Sequence, residues 1–126
     1  MQERSQKTHK ILVIEDHQDM LRLFGRILES EGYRVILATD GVYGMTLLRE
    51  AKPVLVLLDI IMPGPDGYMT LGSIRQYSNV PVIMVTARRE TEALQKALDL
   101  RADDYVEKSF RPAELLARVK TKLRRT

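Results

Sequence analysis

Residues 54–59 read VLVLLD, which is five apolar residues in succession followed by Asp59. A run that is apolar at every position predicts a strand that is buried on both faces, as in parallel sheets. This is the longest such run in the chain and it is only strand-sized, so we expect no membrane span. A carboxylate that closes such a run has no evident structural purpose, which makes Asp59 the first candidate for a functional residue.

The segments on either side of this run alternate between strand and helix. Short stretches rich in Val, Ile and Leu lie at 11–14, 33–38, 80–85 and 104–106. Helical spacing of apolar residues separates them, first from Met20 to Leu28 with Gly32 as a stop, and then over 41–50, 66–77, 90–100 and 112–123. Five successive βα units predict an α/β fold, with a doubly wound parallel sheet, right-handed crossovers and helices on both faces.

The composition is that of one globular domain without disulfides. The chain has 126 residues, of which 44% are hydrophobic and 29% are charged, and its formal net charge is +3. It has no cysteine, and its two histidines cannot build a zinc site without help from carboxylates. The first ten residues are polar and basic, and no apolar stretch long enough for a signal peptide follows them. We therefore expect a single cytoplasmic domain.

Chemically useful side chains follow four of the five predicted strands. In parallel α/β sheets, ligands bind beyond the carboxyl ends of the strands. If strands one and three are neighbours, three carboxylates converge there, and close like charges raise pKa values or recruit a cation. An all-oxygen site of this kind suits Mg²⁺. The residues are Glu15 and Asp16 after strand one, Asp59 after strand three, Thr86 after strand four and Lys108 after strand five.

These residues match the parts that phosphoryl transfer requires. Asp59 is a carboxylate nucleophile that can carry an aspartyl phosphate, while Glu15 and Asp16 can hold the metal. Lys108 can pair with a phosphoryl oxygen, and Thr86 can offer its hydroxyl to another. Taken alone, each has an ordinary structural explanation, such as a helix N-cap for Asp16. All of them together, at the right strand ends, indicate one site.

Four segments resemble the response-regulator receiver family of two-component signalling. They are ILVIEDHQDM at 11–20, LVLLDIIMPGPDGYM at 55–69, VPVIMVTAR at 80–88 and ADDYVEKSF at 102–110. The resemblance extends from about Lys10 to Arg125, and each motif falls in order on its own predicted strand end. It implies a flavodoxin-like (βα)5 fold with strand order 2-1-3-4-5, formed by a receiver domain over 10–126 that follows a flexible tail over 1–9.

The resemblance also implies a mechanism. A histidine kinase is the phosphodonor, Mg²⁺ is the cofactor, and the backbone carbonyl of Ile61 is a further metal ligand. The domain is a phosphoacceptor that assists its own phosphorylation and dephosphorylation rather than an enzyme. On phosphorylation, Thr86 moves toward the phosphate and Tyr105 turns inward, which remodels the face of the fourth helix, the fifth strand and the fifth helix.

The C-terminal part of the chain is most similar to receivers that precede a winged-helix DNA-binding domain. Such receivers form homodimers through that same face, and DNA is bound by the separate output domain. The resemblance implies two charged pairs across the dimer, Asp104 with Arg118 and Asp99 with Lys120. The alternative is a single-domain receiver that docks on a protein partner or relays phosphate to it, with or without being phosphorylated.

Three departures from the family pattern bear on the site. Ser109 stands where a proline with a cis bond is usual, and a cis bond before serine costs roughly 3–4 kcal/mol, so either the bond is strained or the loop is rearranged. Arg101 replaces a glycine, so we expect its turn to avoid positive φ. Ile61 and Arg88 occupy the positions that, in the family, flank the attacking water, and this bulky and cationic pair predicts a long-lived phosphorylated state.

Two other classes of protein share parts of this pattern. Phosphatases of the haloacid-dehalogenase type need a second aspartate two residues after the nucleophile, where this chain has Ile61. A flavin or nucleotide carrier shares the topology, but its phosphate would meet the acidic, glycine-free loop from Glu15 to Asp19. Both classes are therefore disfavoured.

Overall fold

The sheet has five parallel strands in the order β2-β1-β3-β4-β5, which confirms the flavodoxin-like arrangement expected from the sequence. The structure is a computed structural model and describes residues 9–62, 64, 66–86 and 101–124. The strands are β1 (Lys10–Ile14), β2 (Arg34–Ala38), β3 (Leu55–Asp59), β4 (Val82–Thr86) and β5 (Asp104–Glu107). The helices are α1 (Gln18–Ser30), α2 (Gly41–Ala51), α3 (Gly67–Tyr77) and α4 (Pro112–Arg124).

Two predicted segments lie outside the described residues. They are the N-terminal tail up to residue 8 and the helix predicted over 90–100, so the helix called the fifth in the sequence is α4 here. In the part of the chain that is described, no helix combines the length and the apolar character that crossing a bilayer requires.

The apolar side chains form two layers, one on each face of the sheet. Alternate residues of a strand point to opposite faces, so Ile11 and Val13 belong to one layer while Leu12 and Ile14 belong to the other. The first layer lies under α1 and α4, and the second lies under α2 and α3. This sandwich explains why β3 is buried along its whole length, as its unbroken apolar run predicts.

Local signals in the sequence set the ends of the helices. Asp40 caps α2 by accepting a hydrogen bond from the N–H of Tyr43 at 2.8 Å, and Asp66 caps α3 through the N–H of Met69 at 2.9 Å. Gly32 has φ of +89°, the left-handed conformation that glycine adopts readily, and it follows α1 as predicted. The cap at Asp66 thus sets the start of α3, which follows the carboxyl end of β3 in the chain.

The expectation for Arg101 is wrong, because this residue adopts a φ of +67°. The turn is held in this conformation from both sides. The Nε of Arg75 donates to the carbonyl oxygen of Arg101 at 2.9 Å, and the N–H of Asp103 donates to the carbonyl oxygen of Val82 at 2.9 Å. The backbone that leads into β5 is therefore fixed by tertiary contacts that outweigh the local preference of arginine.

Candidate functional site

Three carboxylates meet at the carboxyl edge of the sheet. β1 and β3 are neighbours and Ile14 pairs with Leu58, so the residues that follow each strand lie side by side. Glu15, Asp16 and Asp59 each offer an oxygen, and these oxygens lie within 4.8 Å of one another. The side chains of Glu15 and Asp59 are only 1% and 2% exposed, so water screens their mutual repulsion poorly.

Lys108 supplies the positive charge at this cluster. Its ammonium lies 3.2 Å from Oδ2 of Asp59 and 3.7 Å from Oε1 of Glu15. The backbone N–H of Lys108 also donates to the carbonyl oxygen of Thr86 at 2.6 Å, which extends the β4–β5 pairing by one step. The ammonium of Lys108 therefore lies at the carboxylate that the sequence predicts to carry the phosphoryl group.

The bond between Lys108 and Ser109 is trans, as are all the peptide bonds of the described residues. Of the two possibilities left open by the sequence, a strained cis bond is thus excluded. The turn after β5 is closed by the N–H of Phe110, which donates to the carbonyl oxygen of Glu107 at 3.0 Å. A trans bond at this position is compatible with the contact between Lys108 and Asp59.

The environment of Glu15 strongly favours its neutral form. Burial, followed by the hydrogen bond and negative charge of Asp59, raises the pKa of Glu15 to about 8. The N–H of His17, 3.1 Å from Oε2 of Glu15, and the charge of Lys108 oppose this rise without cancelling it. Ionising Glu15 beside Asp59 is therefore unfavourable, even with the ammonium of Lys108 nearby.

Asp16 does not cap the following helix. α1 begins at Gln18 with His17 in the N-cap position, and no side-chain cap bond is made there. The structural explanation for Asp16 as a helix cap is therefore excluded. Its half-buried carboxylate instead belongs to the cluster with Glu15 and Asp59.

The acidic cluster fits a hard divalent cation. All three donors are oxygens, and Oε1 of Glu15 is fully buried with no hydrogen-bond partner among the described residues. A buried polar atom without a partner is unfavourable, and a cation in the cluster would supply one. Ile61 lies at the rim, where its N–H donates to Oδ1 of Asp59 at 3.3 Å and its side chain is 69% exposed.

The two candidate switch residues lie on adjacent strands. Thr86 ends β4 next to the acceptor strand and is only 6% exposed. Tyr105 lies in β5 and is half-buried, and the guanidinium of Arg118 is 5.9 Å from the centroid of its ring. Arg88, which was expected to flank the water path, lies outside the described residues.

The residues predicted to face a second copy are partly engaged within the chain. Nη1 of Arg118 contacts Oδ1 of Asp104 at 2.8 Å, so this expected pair exists inside one molecule. The ammonium of Lys120 lies 3.9 Å from Oε2 of Glu31, while its expected partner Asp99 lies outside the described residues.

The contact of Gly67 with the backbone of Asp59 is not predicted by the sequence. Gly67 begins α3 and packs against the backbone of Asp59 and Ile60. In the sequence, this glycine lies in the segment 55–69 that resembles the receiver family, beside the start of the helix predicted over 66–77, and neither feature says what it contacts. Periodicity does not report which backbones approach one another, so this contact required the tertiary structure.

Comparison with known families agrees with this site. Residues 11–120 match the response regulator receiver domain. The chain belongs to this family. Receivers are phosphoacceptor domains of two-component signalling, and the family binds Mg²⁺ at an acidic cluster like the one formed here by Glu15, Asp16 and Asp59.

The receiver domain has relatives among transcriptional regulators. It is 39% identical over 116 residues to the DNA-binding response regulator MtrA of Mycolicibacterium paratuberculosis, in an alignment that covers 92% of this chain and 52% of that protein. It is 42% identical over 117 residues to the probable transcriptional regulator ycf27 of Cyanophora paradoxa, with 93% and 49% covered. The chain therefore spans about half the length of these relatives.

Solved receiver structures superpose closely on this one. A two-component response regulator from Clostridium difficile gives a TM-score of 0.89 at 30% identity, covering 93% of this chain and 97% of that one. The BeF3-activated N-terminal receiver domain of Klebsiella pneumoniae RstA gives 0.88 at 31% identity, covering 92% and 99%. Both likenesses extend over nearly the whole receiver.

Proposed function

We propose that Asp59 of this receiver accepts a phosphoryl group from a histidine kinase, with Mg²⁺ as the cofactor. The observation that carries the proposal is the contact of a buried carboxylate with a cation at a strand end. Asp59 is 2% exposed at the end of β3, and the ammonium of Lys108 lies 3.2 Å from its Oδ2. This arrangement supports a carboxylate that is held in place and oriented toward a cation.

The reaction is a displacement at phosphorus. One carboxylate oxygen of Asp59 forms a bond to phosphorus while the bond from phosphorus to the donor breaks, and the bonding electron pair leaves with the donor. Lys108 then pairs with an oxygen of the transferred group, since its ammonium already lies at the carboxylate. Thr86 offers its hydroxyl to another phosphoryl oxygen.

Glu15, Asp16, Asp59 and the carbonyl of Ile61 would hold the Mg²⁺. A divalent cation at this position neutralises charge that develops on the phosphoryl oxygens. The protein's own contribution is to hold three carboxylates together and to keep water away from two of them. The buried Oε1 of Glu15, which has no hydrogen-bond partner among the described residues, supports this assignment.

The phosphorylated state would change the face that contains Tyr105 and Arg118. Thr86 and Tyr105 lie on neighbouring strands, so a movement of the threonine toward the phosphate opens space into which the ring can turn. That turn would remove Tyr105 from the guanidinium of Arg118 and change the surface formed by β5 and α4. The relatives named as DNA-binding or transcriptional regulators support an output through dimerisation and a separate DNA-binding domain.

Ile61 is expected to prolong the phosphorylated state. Its N–H is bonded to the acceptor carboxylate, so its bulky side chain stands at the rim beside the reacting group. We predict a lifetime well beyond seconds for the wild type and a several-fold faster loss of phosphate for Ile61→Ser, measured by phosphate release. Equal decay of the two proteins would contradict this role for Ile61.

Intact mass tests the acceptor. In Mg²⁺ and acetyl phosphate we expect the wild type to gain one phosphoryl group, about 80 mass units, and Asp59→Asn to gain none. Asp66→Asn is the matched control, because it makes the same change at a nearby aspartate and asparagine also caps helices well. Phosphorylation of Asp59→Asn, or none in the wild type, would sink the proposal.

A further inference from the structure

The first residue of α3 packs directly against the backbone that carries the acceptor carboxylate. Gly67 is buried, and its N–H donates to the carbonyl oxygen of Ile60 at 2.8 Å. A Cβ at position 67 would collide with the carbonyl oxygen of Asp59 and would lie 2.6 Å from Cα and 2.8 Å from the carbonyl oxygen of Ile60. Any larger residue must therefore displace either the end of β3 or the start of α3.

The requirement for glycine at this position is steric. The glycines with positive φ among the described residues are Gly32 and Gly64, so Gly67 is not needed for an unusual backbone conformation. The atoms that its Cβ would meet belong to the main chain of residues 59 and 60. No change of side-chain rotamer can relieve such a collision, and the displacement must pass into the backbone.

That backbone sets the geometry of the site. The N–H of Ile61 donates to Oδ1 of Asp59, and the N–H of Ile60 donates to the carbonyl oxygen of Val85 at 2.9 Å. The next carbonyl, that of Ile61, belongs to the proposed metal ligands. Reactive groups must be held to within about 0.5 Å, and a misplacement of about 1 Å costs roughly a hundredfold in rate.

We propose that Gly67 is a positioning residue for the reaction at Asp59. Because it lacks a side chain, the start of α3 can press the 59–61 backbone into the position from which the carboxylate and the Ile61 carbonyl act together. The inference rests on the proposed function, since it assigns Gly67 a part in phosphorylation at Asp59. The part assigned to Gly67 is to position the backbone of residues 59–61, not to bind the phosphoryl group or the cation.

Gly67→Ala is the variant that tests this role. We expect its Kd for Mg²⁺, measured by calorimetry on the folded protein, to rise about tenfold or more. Its rate of phosphorylation by acetyl phosphate should fall roughly 10–100-fold. In metal-free protein, the ¹⁵N–¹H resonances of Ile60 and Ile61 should move while those of β2 stay in place.

Two other glycines provide matched controls. A Cβ on Gly72, in the same helix, meets no atom of the described residues within 4 Å beyond its chain neighbours and the backbone of its own helix, so Gly72→Ala should keep the affinity for Mg²⁺ and the reaction rate of the wild type. A Cβ on Gly41 would collide with the hydroxyl of Thr70, so Gly41→Ala is a tight substitution against a side chain rather than against the main chain of residues 59 and 60. It should lower the urea midpoint while leaving the affinity for Mg²⁺ within twofold.

The inference is overturned if folded Gly67→Ala binds Mg²⁺ and is phosphorylated within twofold of the wild type. It is also overturned if Gly41→Ala loses the same affinity, since a general loss of stability then explains both. If Gly67→Ala unfolds at 25 °C, the comparison is made in trimethylamine N-oxide, which favours the folded state. Failure of the proposed function can be told apart from failure of this inference, because the wild type itself would then gain no mass with acetyl phosphate.

Discussion

Glu15 keeps its carboxylate in a place where ionisation is unfavourable. The side chain is 1% exposed, its Oε1 has no hydrogen-bond partner among the described residues, and Asp59 lies beside it. Its pKa is raised to about 8, first by burial and then by Asp59. A group whose pKa is higher in the folded than in the unfolded state destabilises the fold progressively as pH rises between the two values.

We predict that Glu15→Gln stabilises the metal-free receiver by roughly 1–3 kcal/mol at pH 7. The neutral amide keeps the shape of the side chain and removes the charge. The gain should be absent below about pH 4.5, where glutamate is protonated in both states, and should grow as pH rises toward 8. Urea unfolding in EDTA across this range measures it.

Magnesium should reverse the order of stability of the wild type and Glu15→Gln. Because the carboxylate is a proposed ligand, saturating Mg²⁺ should stabilise the wild type more than Glu15→Gln. A variant that gains nothing in EDTA at pH 7, or that gains equally from Mg²⁺, would contradict this account of Glu15.

Arg101 shows strain of a different kind at a single residue. Its φ of +67° costs a non-glycine residue roughly 1–2 kcal/mol. Since Arg75 bonds to its carbonyl oxygen, the contact does not depend on the side chain at 101. We predict that Arg101→Gly raises the free energy of unfolding by about 1 kcal/mol, whereas Arg101→Ala, which removes the same side chain but keeps the strain, does not. Urea unfolding of both variants distinguishes relief of strain from loss of charge.

At the scale of elements, β5 is held by Arg75 at its amino end and leads to Lys108 at its carboxyl end. Its amino end is tied by Arg75, whose guanidinium bonds to Asp103 at 2.8 Å and to the carbonyl oxygens of Val80 and Arg101 at 2.7 and 2.9 Å. Its carboxyl end delivers Lys108 to the acceptor. With its amino end held in this way, we expect β5 to pass a movement near the proposed phosphate on to its own face rather than to shift as a whole strand.

We predict that Arg75→Ala lowers the free energy of unfolding by about 2–3 kcal/mol. The arginine side chain is only 8% exposed, and its loss removes a donor from four acceptors, which are Oδ2 of Asp103 and the carbonyl oxygens of Ser78, Val80 and Arg101. Asp103, at 38% exposure, keeps some water and the N–H of Val82. Arg22→Ala is the control, because its pair with Asp19 is 3.7 Å long and exposed, and should change stability by less than about 0.5 kcal/mol. Equal urea midpoints for the two variants would contradict the anchor.

At the scale of the whole molecule, the site lies at the carboxyl edge of the sheet and the expected dimer face is formed by β5 and α4. The carboxyl edge of the sheet gathers the charged residues of the site, because parallel strands all end there. The pair between Asp104 and Arg118 lies on β5 and α4, on the face expected to meet a second copy. In a twofold dimer, residue 104 of each copy would meet residue 118 of the other.

We predict that the phosphorylated receiver dimerises and that Asp104→Arg and Arg118→Asp each weaken the dimer roughly tenfold or more, since each places like charges across the interface. An equimolar mixture of the two variants should dimerise again, because every 104–118 contact between the two chains is then of opposite charge. Sedimentation equilibrium measures all three samples.

The mixture separates the two possible roles of this pair. A pair that acts only within one chain cannot be repaired by mixing, because each variant keeps its own mismatch. Monomeric mixtures, with a dimeric wild type, would therefore assign Asp104 and Arg118 to stability alone.

Much of the fold could be predicted because its signals are local. The apolar run that ends at Asp59 predicted a buried parallel strand, and β3 is buried at every position. The α1 helix was recognised from its apolar stripe and from Gly32, whose positive φ suits a helix stop. Glu15, Asp59 and Lys108 were brought together by one topological rule, and the structure places them in contact.

The sequence by itself thus determined the succession of strands and helices along the chain. It also determined which residues follow the strands at the carboxyl edge, because periodicity and strand ends are properties of the chain. The tertiary structure alone decided the positive φ of Arg101, the trans bond before Ser109, the pair of Arg118 with Asp104 and the contact of Gly67 with the acceptor backbone. Each of these depends on distances between segments far apart in sequence. Packing sets those distances, and it can override the local preference of any single residue.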